Sequence, residues 1–269
     1  MIKNEEDFSR VAQSCMTPIY FFDQKNPPNK SEKITRNGTV TLFRNEHKIY
    51  GITNYHVYEG YEKKKNANKH TICQIGYQCK IELEDKIRYT DEINDLVIFD
   101  LNDDDLNKMS TAECQKTGFT VLDDRIDEYL KKYQDENNYE TWFLHFAGYP
   151  AVYKKTEQIS ATILNEEFGI ISSYARGSYI DEKTEIILDY SAIKEDGAKI
   201  TPSIGTFSKE NMVFGGISGG PVFARIHQDH LSLLGIIYKG SGEKDGIRSS
   251  FEFIYAKPIS LIKNILLSC

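Results

Sequence analysis

The chain has 269 residues, of which 40% are hydrophobic and 27% charged, a composition that excludes a mainly disordered, collagen-like or coiled-coil protein. Its formal net charge of −7 argues against duplex nucleic acid or an anionic membrane surface as partners, because both attract basic proteins. No stretch approaches the roughly 18 apolar residues of a membrane span, and the acidic N-terminal residues lack the order of a signal peptide, so we expect a cytoplasmic protein.

The predicted elements begin with weak helical spacing at residues 4–15, inside an N-terminal segment delimited as 1–35. A first β unit is predicted over residues 36–101, because apolar and polar residues alternate there between turn signals. Its last strand is nearly all apolar and is therefore expected to be buried on both faces. The predicted strands of this unit are 39–43, 48–53, two within 70–83, and 95–101.

An acidic, Asn-rich stretch at 102–140 is predicted to be a linker, with a helix over Asp123–Gln134. A second β unit follows over 141–269 and ends in an amphipathic helix at Pro258–Leu267. Its predicted strands are 142–147, 157–164, 168–174, 184–189, 221–226, 231–238 and 251–256. The sequence thus predicts an all-β-dominated fold, since short strands with frequent turn signals favour barrels or sandwiches.

The cysteines indicate free thiols rather than a disulfide framework or a zinc site, because their number is odd and no C-x-x-C is present. They are Cys15, Cys73, Cys79, Cys114 and Cys269. The spacing of His70 with Cys73 and Cys79 admits a metal site, but a strand with incidental cysteines is the favoured interpretation. We therefore predict no metal and no other cofactor.

Two polar residues stand at the ends of apolar strands. His56 follows a strand in Thr53-Asn54-Tyr55-His56-Val57, and a lone histidine there is ordinarily a surface residue. Asp95 opens the apolar strand 95–101, close to the core, where a charge is costly unless it is paired. An ordinary turn aspartate is the alternative for this position.

A third context is the glycine-rich segment Gly215-Gly216-Ile217-Ser218-Gly219-Gly220-Pro221. Glycines let the backbone turn tightly and approach a ligand closely. They also leave amide N–H groups free to converge on one point, as an oxyanion hole requires. A glycine-rich hairpin is the plainer alternative, and we favour the functional interpretation.

Taken together, these three segments resemble the trypsin/chymotrypsin-like serine peptidases. That family has a T-A-x-H-like segment, a D-L-A-L-like strand and G-x-S-G-G-P, in the order His, Asp, Ser. Leu234–Gly240 also resembles the family's V-G-I-V-S-W-G strand, and weaker similarity extends to 146–150 and 253–257. The resemblance implies two six-stranded antiparallel β-barrels with an interdomain linker helix and a C-terminal helix.

The resemblance also implies a mechanism, peptide-bond cleavage through an acyl-enzyme. His56 would act as general base, Asp95 would orient and stabilise the imidazolium, and Ser218 would be the nucleophile. The N–H groups of Gly216 and Ser218 would form the oxyanion hole. The implied substrate is a protein or peptide.

The sequence departs from the secreted members of that family at two positions. Ile217 stands where those members have an aspartate that pairs with a new N-terminus after cleavage, and Val57 stands where they have cysteine. We therefore expect an intracellular enzyme that is built active, or is switched by a regulatory protein partner or by a conformational change.

The substrate pocket is less defined by the sequence. The resemblance assigns it Met212, Tyr238, Lys239 and Gly240, and an apolar base disfavours Arg or Lys at the cleaved position. Lys239 either attracts an acidic residue or points to solvent, and solvent is favoured. Glu210 would reverse the preference if it reached the pocket.

An alternative to an active peptidase is a catalytically silent or partner-activated scaffold with the same fold. No motif supports a metal-dependent or nucleotide-dependent enzyme. The Lys-, Asn- and Ile-rich composition is similar to that of proteins from AT-rich microbes. By analogy with stand-alone bacterial members, we expect a regulated protease in stress or phage defence.

Overall fold

The computed structural model describes residues 5–25, 37–76, 78–112, 114–122, 144–149, 154–160, 163–168, 170–180, 185–189, 200–201, 216–227, 230–240 and 253–268. These residues form 17 strands and four α-helices. All but one of the pairings between these strands are antiparallel, the exception being a short parallel one. The predicted all-β-dominated fold class is confirmed.

A seven-stranded antiparallel sheet forms the first half of the structure. Its strands are β1 (Met16–Asp23), β2 (Asn37–Asn45), β3 (Lys48–Thr53), β4 (Thr71–Ile75), β5 (Cys79–Ile81), β6 (Ile87–Asp91) and β7 (Leu96–Leu101). Their order is β5-β4-β1-β2-β3-β7-β6. The predicted hairpin is β2–β3, with Thr41 opposite Ile52 and Phe43 opposite Tyr50.

The first sheet differs from the predicted six-stranded unit because it includes β1. This strand lies inside the sheet, between β4 and β2, with Met16 opposite Thr41 and Phe21 opposite Cys73. Its residues from Met16 to Phe22 are buried on both faces, which explains the continuous apolar run. The sheet therefore starts within the segment 1–35 that the sequence analysis placed before it.

Three α-helices accompany this sheet: α1 (Glu5–Ser14), α2 (Tyr55–Ala67) and α3 (Asp103–Met109). The weak helical spacing at 4–15 corresponds to α1. In α3, the side chain of Asn102 accepts the N–H of Asp105 at 2.8 Å, and the Asp105 carboxylate accepts the N–H of Asn102 at 3.0 Å, a reciprocal capping box. The helix predicted over Asp123–Gln134 lies outside the described residues.

A ring of six antiparallel strands dominates the second half. The strands of this half are β8 (Val121–Leu122), β9 (Leu144–Gly148), β10 (Lys154–Ser160), β11 (Ile163–Phe168), β12 (Ile170–Ile180), β13 (Glu185–Asp189), β14 (Ile200–Thr201), β15 (Pro221–His227), β16 (His230–Gly240) and β17 (Phe253–Pro258). The pairings β9-β12-β13-β17-β16-β15 return to β9 and close the ring, which matches the predicted six-stranded barrel. The strand predicted at 157–164 overlaps two strands, since β10 and β11 pair as a separate hairpin.

Two large hydrophobic clusters among the described residues position the site. One lies within the first sheet and includes Val40 and Leu42 of β2, with Leu106 and Met109 of α3. The other joins the two halves and contains Phe43 of β2 together with residues of the second sheet and the C-terminal end. Its members include Ile52, Ile98, Phe223, Leu233, Ile236, Ile259, Ile262 and Leu266. Strand β2 thus turns one face to its own core and the other face to the second sheet.

The C-terminal end enters this shared core. The predicted helix over Pro258–Leu267 is realised as a 3-10 turn at Ile259–Leu261 followed by α4 (Lys263–Ser268). Ile259, Ile262 and Leu266 are buried, so the amphipathic spacing was the correct signal for the buried face.

The cysteines of the described residues are free thiols, as the sequence predicted. Cys15, Cys73 and Cys79 are buried and Cys114 is partly exposed. Burial raises the pKa of the Cys15 thiol to about 11 and that of Cys79 to about 12, so both thiols are protonated at neutral pH. In the described part of the chain, no cluster of His, Cys, Asp or Glu has the arrangement of a metal site.

Candidate active site

His56 lies in the first turn of α2, two residues after Asn54, which occupies the N-cap position in extended conformation without a side-chain capping bond. The sequence analysis had treated this position as the end of a strand. The side chain is 48% exposed, and its Nδ1 lies 2.8 Å from Oδ2 of Asp95. The backbone N–H of His56 donates to the other oxygen, Oδ1, at 2.9 Å. One carboxylate therefore holds both the ring and the backbone of the histidine.

Asp95 precedes β7 in a backbone conformation that is rare for residues other than glycine, with φ of +55°. The turn before it is organised by Asp91, which accepts the N–H of Asn94 at 2.9 Å and its Nδ2 at 2.7 Å. Burial alone would raise the pKa of Asp91, but these bonds and one from Tyr89 hold that pKa below its ordinary value. Asn54 Nδ2 donates to the carbonyl oxygen of Asp95 at 2.9 Å and fixes the unusual backbone.

Ser218 lies in a tight loop, residues 216–220, which leads into β15 and which we call the serine loop. Gly216 and Gly219 have φ of +100° and +89°, conformations that glycine adopts without strain. The Gly220 N–H closes the turn by donating to the carbonyl of Ile217 at 2.8 Å. Reciprocal bonds with Ile237 anchor the loop to β16, at 2.7 Å from Gly219 N and 2.8 Å to Gly220 O.

The serine loop also docks on β2 of the first sheet. Thr39 N donates to Ser218 O at 2.7 Å, and the hydroxyl of Thr41 donates to Gly219 O at 2.7 Å. A Cβ at Gly38 would lie 2.9 Å from a methyl of Val57 and 3.3 Å from Ser218 O. The backbone of Ser218 therefore lies beside the residue that follows His56. The structure thus brings all three predicted catalytic residues to the contact between the two sheets, where β2 meets residues 216–220, and we call this contact the seam.

The serine loop presents free donors at this seam. Within the described part of the chain, the N–H groups of Gly216 and Ser218 donate to no protein acceptor. Among the described residues, the Ser218 hydroxyl makes no hydrogen bond to His56. The serine itself is partly exposed. The loop therefore combines a partly exposed serine with unused backbone N–H groups of the kind that form an oxyanion hole.

Only some of the predicted pocket residues belong to the described part of the chain. Met212 and the alternative Glu210 lie outside the described residues. Tyr238 is partly buried and has the ammonium of Lys257 4.8 Å from its ring centre. Lys239 is exposed and its ammonium lies 5.7 Å from the ring centre of Tyr255, in line with the favoured solvent-facing interpretation. Gly240 ends β16.

Three site residues were missed by the sequence analysis: Thr39, Thr41 and Asn54. The threonines alternate with Val40 and Leu42, so the polar face of β2 was a signal that this strand meets something polar. Asn54 directly precedes a helix, where asparagine is a favoured N-cap, and that signal was overlooked together with α2.

The solved structures similar to this chain include two that match at low identity. A crystal structure of Deg5 is 14% identical with a TM-score of 0.44, and the match covers 98% of this chain and 94% of that one. A structure of the HtrA-type protease AlgW with a tripeptide is 13% identical with a TM-score of 0.45, over 97% of this chain and 61% of that one. Both TM-scores are below 0.5, so these similarities say nothing about which residues act chemically.

No family model matches the sequence, and neither does any curated protein. Among the described residues, no helix has the length and apolarity needed to cross a membrane.

Proposed function

We propose that the chain is a serine endopeptidase that cleaves peptide bonds through an acyl-enzyme. The observation that carries the proposal is the pairing of His56 with Asp95 through both Nδ1 and the backbone N–H. A histidine held in this way keeps its Nε2 available to take a proton from a nucleophile. Ser218, whose backbone lies beside the Val57 that follows His56, supplies the proposed nucleophile.

The proposed reaction follows the Ser-His-Asp template. Ser218 Oγ attacks the carbonyl carbon of the substrate while its proton passes to His56 Nε2, and Asp95 stabilises the imidazolium. The N–H groups of Gly216 and Ser218 bind the oxyanion. The C–N bond then breaks, His56 protonates the leaving amine, and a water molecule activated by His56 hydrolyses the acyl-enzyme.

The substrate of this proposal is a protein or peptide whose cleaved residue meets Tyr238, Gly240 and Met212. The interaction of Lys239 with the Tyr255 ring favours solvent over the pocket for that ammonium. A regulatory protein partner remains part of the proposal, since no aspartate stands at Ile217 to support activation by a new N-terminus.

A partner-activated or silent scaffold is the second candidate function. It is favoured by one observation, the lack of a hydrogen bond between the Ser218 hydroxyl and His56 within the described residues. Catalytic hydrogen bonds are often long in free enzymes and shorten when substrate binds, so this observation is weaker than the His56–Asp95 pair.

A fluorophosphonate probe tests the proposal, because it labels only activated serines. We expect labelling of the wild-type chain at Ser218, located by peptide mass spectrometry. Ser218→Ala should abolish labelling and His56→Ala should slow it roughly a thousandfold or more. His47→Ala is the matched control, since His47 is an exposed histidine in the β2–β3 turn, and its labelling should equal that of the wild type.

Labelling that survives Ser218→Ala would contradict the assignment of the nucleophile. A wild-type chain that resists the probe would favour the scaffold function, and the next measurement would seek a partner that restores labelling.

A further inference from the structure

Thr39, fully buried on β2, has each of its polar groups engaged at the seam between the two sheets. Its amide N–H donates to Ser218 O at 2.7 Å, and its hydroxyl donates to Gly216 O at 3.0 Å. The same hydroxyl accepts the N–H of Tyr149 at 3.0 Å, and its carbonyl accepts the hydroxyl of Thr53 at 2.9 Å. One residue thus connects the end of β3, the end of β9 and the serine loop.

The direction of the hydroxyl bond follows from the chemistry of its partners. A hydroxyl has one proton to donate and lone pairs to accept with. Because the Tyr149 N–H can only donate, it uses a lone pair of the Thr39 oxygen. The single hydroxyl proton is therefore left for Gly216 O, which can only accept.

This bond fixes a peptide group close to Ser218. In a trans peptide the C=O and the N–H point in opposite directions, so a fixed carbonyl also fixes the following N–H. The Thr39 hydroxyl holds Gly216 O and so fixes the Ile217 N–H, while Gly220 N holds Ile217 O and so fixes the Ser218 N–H. The peptide group that Thr39 holds therefore lies directly between the two that carry the N–H groups of Gly216 and Ser218. Gly216 itself has φ of +100° and no Cβ to restrict it, so an outside contact is needed to select this conformation.

We propose that the Thr39 hydroxyl is a positioning group that keeps the oxyanion donors of the serine loop in their reactive orientation. The inference rests on the proposed function, since the donors matter only if Ser218 is acylated. Thr39 itself is buried and does not touch the substrate.

The test compares three Thr substitutions. Thr39→Val removes the hydroxyl while keeping the side-chain shape, and Thr39→Ser restores the hydroxyl. Thr17→Val is the matched control: Thr17 is also fully buried in the first sheet, but its hydroxyl has no hydrogen-bond partner within the described residues.

The first readout is the rate constant of fluorophosphonate labelling at Ser218, measured together with the final labelled fraction. Thr39→Val should slow labelling by about tenfold or more while the final fraction stays complete, and Thr39→Ser should label at close to the wild-type rate. A merely structural role would instead reduce the folded, and thus the labelled, fraction and leave the rate constant unchanged. That result, or a wild-type rate in Thr39→Val, would overturn the proposal.

The second readout does not need activity. In a Ser218→Ala background, hydrogen exchange of residues 216–220 should be faster with Thr39→Val than with Thr17→Val. Equal exchange in the two variants would overturn the role of Thr39, whether or not the wild-type chain reacts with the probe. A wild-type chain that resists the probe while Thr39→Val still loosens the loop would overturn the proposed function, and would leave Thr39 as the residue that holds the loop.

Discussion

The His56–Asp95 pair depends on a strained backbone at the aspartate. A φ of +55° at a residue other than glycine costs on the order of 1 kcal/mol, and Asp95 is held there by Asn54 Nδ2 on one side and by the turn around Asp91 on the other. The carboxylate is thereby aimed at both the N–H and the Nδ1 of His56. At the scale of single residues, the site is built by neighbours that do not themselves react.

Asn54→Ala should therefore slow labelling of Ser218 by roughly tenfold or more, because a small displacement of Asp95 misdirects the imidazole. Its effect on the free energy of unfolding should be about 1 kcal/mol or less, since the lost bond is partly offset by removing a buried Oδ1 that has no partner within the described residues. Labelling kinetics and urea unfolding measure the two effects separately.

The control for this variant is Asn45→Ala. Asn45 also donates its Nδ2 to a backbone carbonyl, that of Leu266 at 3.1 Å, at the opposite end of β2 from Thr39. It should lose similar stability and keep the wild-type labelling rate. Equal rates in the two variants would refute a positioning role for Asn54.

Among the elements, the serine loop and β2 must fit closely. A Cβ added at Gly219 would overlap the carbonyl oxygen of Thr39 and lie 2.7 Å from the hydroxyl of Thr53, and the residue also has φ of +89°. At Gly118, with φ of +79°, the nearest atoms to an added Cβ belong to Leu42 at 3.2 Å. The two glycines share the backbone conformation and differ in the space around them.

Gly219→Ala should lower the free energy of unfolding by at least about 3 kcal/mol and abolish labelling, because strain and overlap act together. Gly118→Ala should cost about 1–2 kcal/mol for the strained conformation and leave labelling unchanged. Chemical denaturation with both variants measures the difference. Equal midpoints would mean that β2 and the loop can separate without cost.

The elements also show what the sequence could and could not predict. The hairpin β2–β3 and the strand β7 were readable from their alternation and apolar runs. Helix α2 was missed, although its buried residues Val57, Gly60 and Tyr61 have helical spacing, because Gly60 and a polar surface weaken the pattern. The conformation of Asp95 had no sequence signal, since one of the two contacts that hold it comes from Asn54, which lies far from it in the sequence.

In the whole molecule, the first sheet lies between two cores. Val97 and Phe99 of β7 belong to the cluster of the first sheet, while Leu96 and Ile98 belong to the cluster shared with the second sheet. This explains why β7 is apolar at nearly every position, as a strand buried on both faces must be. The sequence predicted that burial. It could not predict that the strand's second face is covered by the ring of strands that the serine loop leads into.

The shared region also contains a largely buried histidine that stays partly exposed. His145 of β9 stacks on Phe223, with ring centres 5.7 Å apart, and burial lowers its pKa to about 4 from an ordinary value of 6.5. Between these two pH values the unfolded chain binds a proton that the folded chain does not. Protonation therefore favours the unfolded chain, and stability falls as the pH drops below 6.5.

We expect His145 to make the free energy of unfolding roughly 2–3 kcal/mol smaller at pH 4.5 than at pH 7. Carboxylates also contribute to acid destabilisation, so the wild-type slope alone does not isolate this residue. His145→Gln removes the titrating group, and its stability should fall less steeply over the same range. Urea unfolding at several pH values measures both curves. Parallel curves would mean that His145 is protonated as easily in the folded chain as in the unfolded one, and that the layer between the sheets admits water.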